Sequence, residues 1–109
     1  MSQLRNITMA IILYANDHDD TLPPDLDVLV ENRYVYSKEM FVDPVTGLEY
    51  VYVGGPNLSK GAPSLILVHE NPTDRKTVRA AHFDGSVRAY TIEEFNRAIK
   101  KTYDANEGK

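Results

Sequence analysis

Thr77-Val78-Arg79-Ala80-Ala81-His82-Phe83-Asp84-Gly85-Ser86-Val87-Arg88-Ala89-Tyr90-Thr91 is the stretch whose reading decides the fold. Residues 77–83 and 86–91 are two strand candidates flanking Asp84-Gly85. That dipeptide suits a two-residue type I′ hairpin, in which both positions need positive φ. Thr91 then stands where a helix N-cap belongs, ahead of a helix expected over residues 92–101. Glu93 and Glu94 fall in its first turn and Lys100 and Lys101 in its last, as the helix dipole favours. A hairpin running straight into a helix, with no βαβ alternation before it, reads as α+β.

Working back toward the N-terminus, Ser64-Leu65-Ile66-Leu67-Val68-His69 is the most apolar strand candidate and is expected at the centre of the sheet. Asn71-Pro72-Thr73-Asp74 supplies the turn that joins it to residue 77. Residues 49–53 alternate Tyr50 and Tyr52 with Val51 and Val53 and suggest a further strand. Gly54-Gly55-Pro56 and Lys60-Gly61-Ala62-Pro63 bracket a loop. Residues 34–42 read as a weak extended segment ending at Asp43-Pro44, with a turn at Val45-Thr46-Gly47.

The first segment predicts a helix over residues 2–17 with Ser2 as its cap. Leu4, Ile7, Ile11 and Tyr14 share one stripe at three- and four-residue spacing, while Met9, Ile12 and Leu13 lie off it. A helix apolar around so much of its circumference needs cover on more than one side. Asn16-Asp17-His18-Asp19-Asp20 favours a break, and Pro23-Pro24 forbids continuation. A short helix over residues 25–32 would turn Leu26, Leu29 and Val30 inward. The expected whole is an N-terminal helix packed on an antiparallel sheet of three to four strands, with a short C-terminal helix. It forms one domain over residues 1–103, and residues 104–109 are a disordered tail.

The 109 residues carry 12 Lys+Arg, 16 Asp+Glu and no Cys. The lack of Cys removes thiol catalysis, thiolate metal sites and disulfides. A net charge of −4 argues against nucleic acid, whose phosphates need a basic surface. The charge is uneven: residues 1–50 hold three basic and nine acidic side chains, residues 51–109 nine and seven. Such a dipolar chain is compatible with head-to-tail stacking of copies. The longest apolar run, residues 9–15, is seven residues, whereas a membrane span needs about 20.

Asp17, His18, Asp19 and Asp20 are an acidic cluster with oxygen ligands suited to calcium, but the EF-hand pattern fails: Leu22 and Val28 stand where Gly and Glu are required. A calcium site of another kind there stays open beside a solvated helix terminus. His18, His69 and His82 show no zinc-site spacing. His82 with Asp84 is the one candidate acid–base pair, against a turn role for Asp84. Tyr34, Tyr36, Tyr50 and Tyr52 stand at strand-like spacing, as packing partners or as a surface for a peptide or glycan.

Several phrases together resemble a known family. Gln3-Leu4-Arg5-Asn6-Ile7, then Ala10-Ile11, Tyr14-Ala15-Asn16-Asp17-His18-Asp19 and Leu22-Pro23-Pro24, resemble the segment just after the membrane helix of prepilin-like proteins, relatives of type II secretion pseudopilins. Leu29-Val30-Glu31-Asn32 and Phe41-Val42-Asp43-Pro44 look like the family's Phe-x-Cys-Pro region, with Asp43 where Cys is common. His82-Phe83-Asp84-Gly85-Ser86-Val87, followed by Thr91-Ile92-Glu93-Glu94-Phe95, is similar to its Phe-Ala-Asp-Gly-His-Val hairpin and closing helix, with Ala absent and Ser86 in place of His.

The resemblance implies a pilin-like head on a helical stem and a non-enzymatic, structural role in a type II secretion or type IV pilus-like fibre. The head would sit in the periplasm or at the cell surface, anchored in the inner membrane by an N-terminal helix. The prepilin cleavage site and the apolar half of that helix are missing here, so the expectation is a truncated form with Met1 added. Partners would be other pilin-like subunits and secretion-apparatus proteins. Leu4, Ile7, Ile11, Ile12 and Tyr14 are the expected assembly interface. No catalytic residue and no resident cofactor is expected; the calcium that some pseudopilins hold after the sheet has no matching acidic loop here.

Overall fold

A computed structural model describes residues 3–55, 57–59 and 61–107. The Ser2 cap and the loop-bracketing Pro56 and Lys60 lie outside the described residues. The elements run α1 (Gln3–Asp17), α2 (Asp27–Glu31), a 3₁₀ helix (Lys38–Phe41), β1 (Val51–Tyr52), β2 (Ile66–His69), β3 (Thr77–His82), β4 (Val87–Thr91) and α3 (Ile92–Glu107). The four strands form one antiparallel sheet in the order β1-β2-β3-β4. The fold is α+β, with a helix at each end of the chain.

The two long helices cover opposite faces of the sheet. Leu4, Ile7, Ile11 and Tyr14 of α1 share a core with Leu67, Val68, Ala81 and Phe83. Phe95 of α3 closes a second core with Ile66, Val78, Ala80 and Tyr90. A β-bulge makes this division possible. Ile66 pairs with His82 and Val68 with Ala81, so Leu67 is an extra residue on β2. Leu67 and Val68 therefore both serve the α1 side, while Ile66 and His69, three apart, both serve the α3 side. Every residue of β2 is buried, as a central strand covered on both faces requires.

Both N-terminal helices end the same way. The amide of Asp20 reaches the carbonyl of Ala15 at 2.8 Å, and that of Tyr34 reaches Leu29 at 2.8 Å. Each closure is a six-to-one hydrogen bond over a left-handed residue, Asp19 at φ 56° and Arg33 at φ 67°. Neither is glycine, so both ends carry backbone strain.

Three expectations change in detail. First, the β3–β4 turn is not type I′: only Gly85, at φ 88°, is left-handed. His82 and Ser86 close a three-residue loop in which the Gly85 amide returns to the His82 carbonyl at 2.9 Å. That is a type I turn with a glycine bulge, the next commonest hairpin. Second, the segment before Asp43 winds into the 3₁₀ helix, and only Val42 bridges to Glu49 as a strand would. Third, α3 runs to Glu107, so residues 104–107 continue the helix instead of forming a disordered tail. Thr91 and Glu94 form the reciprocal capping box at its start: Glu94 accepts the Thr91 amide at 3.0 Å and gives its own amide to the Thr91 hydroxyl at 3.2 Å.

Candidate functional site

The residue types along α1 divide its surface sharply. Leu4, Ile7, Ile11 and Tyr14 are 1%, 0%, 0% and 9% exposed and turn onto the sheet. Burying Leu4, Ile7 and Ile11 contributes on the order of 6 kcal/mol together. Four of the five expected assembly residues are therefore enclosed in the chain's own core, because their stripe is the one the sheet claims. Ile12 is half-buried, at the margin, with its Cδ1 near Gly85. The outward face consists of Arg5, Asn6, Met9, Leu13, Asn16 and Asp17, all exposed. Met9 and Leu13 are 50% and 52% exposed, and they are the apolar residues of α1 that a partner would meet first.

The acidic cluster after α1 is dispersed onto separate partners. Asp17 accepts the Tyr34 hydroxyl at 2.6 Å, which holds that phenol's pKa above its ordinary value. His18 stacks on Tyr14 with ring centres 3.8 Å apart, and its Nδ1 lies 2.8 Å from the Tyr14 carbonyl oxygen. Asp20 accepts the Ser59 amide at 3.0 Å and its hydroxyl as well. Among the described residues no group of three or more His, Asp or Glu side chains is placed to hold a metal ion.

The four tyrosines do not share one surface but fall into two pairs, Tyr50 with Tyr52 at one recess and Tyr34 with Tyr36 at another. Tyr50 is buried, Tyr52 is half-buried with its hydroxyl donating to the Pro23 carbonyl at 2.6 Å, and Tyr36 is fully exposed. Tyr34 and Tyr36 border an open recess of about 560 Å³ with Val30, Arg33 and Val35.

His82 is buried and held at both ring nitrogens. Nδ1 faces the Ser86 carbonyl and hydroxyl at 3.1 and 3.2 Å, and Nε2 lies 2.6 Å from the Tyr90 hydroxyl. Asp84 accepts the Ser86 amide and hydroxyl at 2.9 and 2.7 Å, which lowers its pKa. The serine thus sits between carboxylate and imidazole. A nucleophilic triad needs the imidazole in the middle, able to withdraw the hydroxyl proton. This constellation fixes the hairpin.

One polar cluster carries no sequence signature. Arg75 reaches Asp43 at 2.9 Å and Glu70 at 3.3 Å, while Arg79 reaches Glu70 at 3.5 Å. Asp43 and Glu70 are almost fully buried. Burial first, and then these two carboxylates, push the Tyr50 phenol up to about 12. The cluster ties the loop after the 3₁₀ helix to the β2–β3 connection. Glu70, Arg75 and Arg79 belong to the β2–β3 hairpin, and the fold brings Asp43 to them from the loop after the 3₁₀ helix.

No helix among the described residues is long and apolar enough to cross a membrane. No protein-family model, no curated protein and no solved structure matches the chain.

Proposed function

We propose that this chain is a structural, pseudopilin-like subunit of a type II secretion or type IV pilus-like fibre, and that it works by assembly. The observation that carries the reading is the uncovered outer stripe of α1: Met9 and Leu13 stand half in water on a helix whose other side is sealed against the sheet. A helix with apolar residues left over after its own core is filled is built to be covered again. On this reading α1 continues upstream into a membrane-embedded segment, and the head lies in the periplasm or at the cell surface. Its partners are other pilin-like subunits and proteins of the secretion apparatus.

The test uses the full-length protein in its host. Met9→Asp with Leu13→Asp should abolish fibres or secretion while leaving the head folded, because both residues lie outside the core. Normal assembly by this double variant would overturn the stem-packing reading.

A further inference from the structure

β4 is an open edge of the sheet: among the described residues β3 is the one strand beside it. The ladder fixes which of its backbone groups face outward. The His82 amide bonds the Ser86 carbonyl at 2.9 Å, and such pairs alternate along an antiparallel ladder. Arg88 and Tyr90, opposite Ala80 and Val78, therefore turn their amides and carbonyls toward β3, while Val87, Ala89 and Thr91 turn theirs away. The Thr91 amide is taken by Glu94, and its carbonyl stands where the first bond of α3 begins. Four groups remain, the amides and carbonyls of Val87 and Ala89. Edges are commonly blunted by a proline, a bulge or shortness. β1, at the other edge, is two residues long, but β4 has five residues in unbroken register and no proline.

We propose that β4 takes an extended segment of a different polypeptide as a fifth, antiparallel strand, and that this segment carries Asp or Glu opposite Arg88. Val87 and Ala89 each exchange two backbone hydrogen bonds with it, which only an extended chain can supply. Arg88 sets the charge. It is exposed, with its guanidinium carbon 4.8 Å from the centre of the Tyr90 ring, and it forms no ion pair among the described residues. The Glu94 carboxylate, on which both Arg88 and Arg97 act, is committed to the Thr91 amide. Arg88 occupies the pairing position where facing side chains come closest, so a carboxylate there meets the guanidinium directly.

The same geometry turns away a second copy of this chain. The two-fold register that joins all four free groups centres on Arg88 and sets it against Arg88 of the other copy, which repels. Centring on Ala89 pairs Val87 with Thr91, whose amide is already bound. Centring on Val87 pairs Ala89 with Gly85, which is left-handed and gives its amide to His82. The edge is thus closed to itself and open to an acidic strand. This goes beyond the fibre reading, since it involves neither α1 nor any upstream segment.

The test uses the 109-residue chain and an end-capped peptide, Thr-Val-Thr-Glu-Thr-Val-Thr, with a twin carrying Lys in place of Glu. The Glu peptide should shift the Val87 and Ala89 amide resonances most and slow their hydrogen exchange. It should bind about fivefold more tightly than the Lys peptide, as one facing charge pair allows, and Arg88→Glu should reverse that preference. Ala89→Pro removes an outward amide without touching the β3 ladder and should abolish binding with the fold intact by circular dichroism. Should Ala89→Pro fail to fold, the Arg88→Glu reversal decides. No binding of the Glu peptide up to about 5 mM, equal binding of the two peptides, or undiminished binding by folded Ala89→Pro would each overturn the proposal. So would a wild-type dimer with protected Val87 and Ala89 amides, which would give the edge to a second copy. None of these outcomes depends on fibre formation, which the Met9 and Leu13 substitutions read in the cell.

Discussion

Asp43 and Arg75, 32 positions apart in the chain, meet at 2.9 Å with both side chains largely withdrawn from water. Asp43 also receives the Val45 amide at 2.9 Å, and Arg75 also reaches Glu70. One guanidinium therefore bridges two buried carboxylates, with Arg79 sharing Glu70 at 3.5 Å. Removing Arg75 takes away the cation beside Asp43 and leaves Glu70 with Arg79 alone, a costlier change than removing one exposed ion pair. Arg75→Met should lower stability by about 3 kcal/mol, read from urea unfolding. Adding Asp43→Asn to that variant should recover part of the loss. A loss below about 1 kcal/mol for Arg75→Met would mean that water, not protein, solvates the cluster.

Inner and outer faces of α1 should respond oppositely to the same substitution. Ile11→Asp places a carboxylate in a site with no exposure and should cost more than about 4 kcal/mol, enough to unfold a marginal domain. Leu13→Asp, at a half-exposed position, should change stability by under about 1 kcal/mol. Circular dichroism melts of the two variants would decide it, and similar losses would refute the assignment of faces.

Stability should fall in acid through His69. Burial against Phe95, with ring centres 4.7 Å apart, depresses its pKa, and a hydrogen bond to the Glu70 carbonyl opposes this only in part. The folded state thus binds fewer protons than the unfolded chain below the ordinary histidine value of about 6.5, and stability is lost as pH drops from there. His69→Phe should flatten the melting temperature between pH 7 and pH 5. An equally steep decline in the variant would place the acid sensitivity elsewhere.

The strained helix ends offer stabilising substitutions. Asp19→Gly and Arg33→Gly should each raise stability by about 0.5 kcal/mol, since release of the left-handed strain exceeds glycine's entropy cost. Asp20→Gly should do the reverse despite a φ of 70°, because Asp20 holds the amide and hydroxyl of Ser59. Thermal unfolding of the three variants checks the ordering.

The hairpin, the central strand and the Thr91 cap were legible in the sequence because each is a local matter of propensity, periodicity and capping. The assembly face was not. Periodicity marks which α1 residues share a stripe, but with apolar residues on two sides it does not say which stripe the sheet takes. The sheet face that receives the stripe is built by Leu67 and Val68 together, through a bulge that no alternation pattern in Ser64-Leu65-Ile66-Leu67-Val68-His69 announces. The Asp43–Arg75 contact was invisible for a related reason: an ion pair between segments 32 residues apart leaves no spacing to read. Gly85 alone carrying the left-handed turn shows that Asp-Gly specifies a hairpin more firmly than it specifies the turn type.

The cover that α1 receives from β2 and β3 has a consequence for biosynthesis. Residues 66–82 emerge from the ribosome well after residue 17, and at 5–20 residues per second that delay is roughly 3 to 13 seconds. Throughout it Leu4, Ile7 and Ile11 have no sheet to rest on. The nascent chain therefore presents an uncovered apolar stripe to whatever chaperone or targeting factor waits at the exit tunnel, long before the finished protein conceals it.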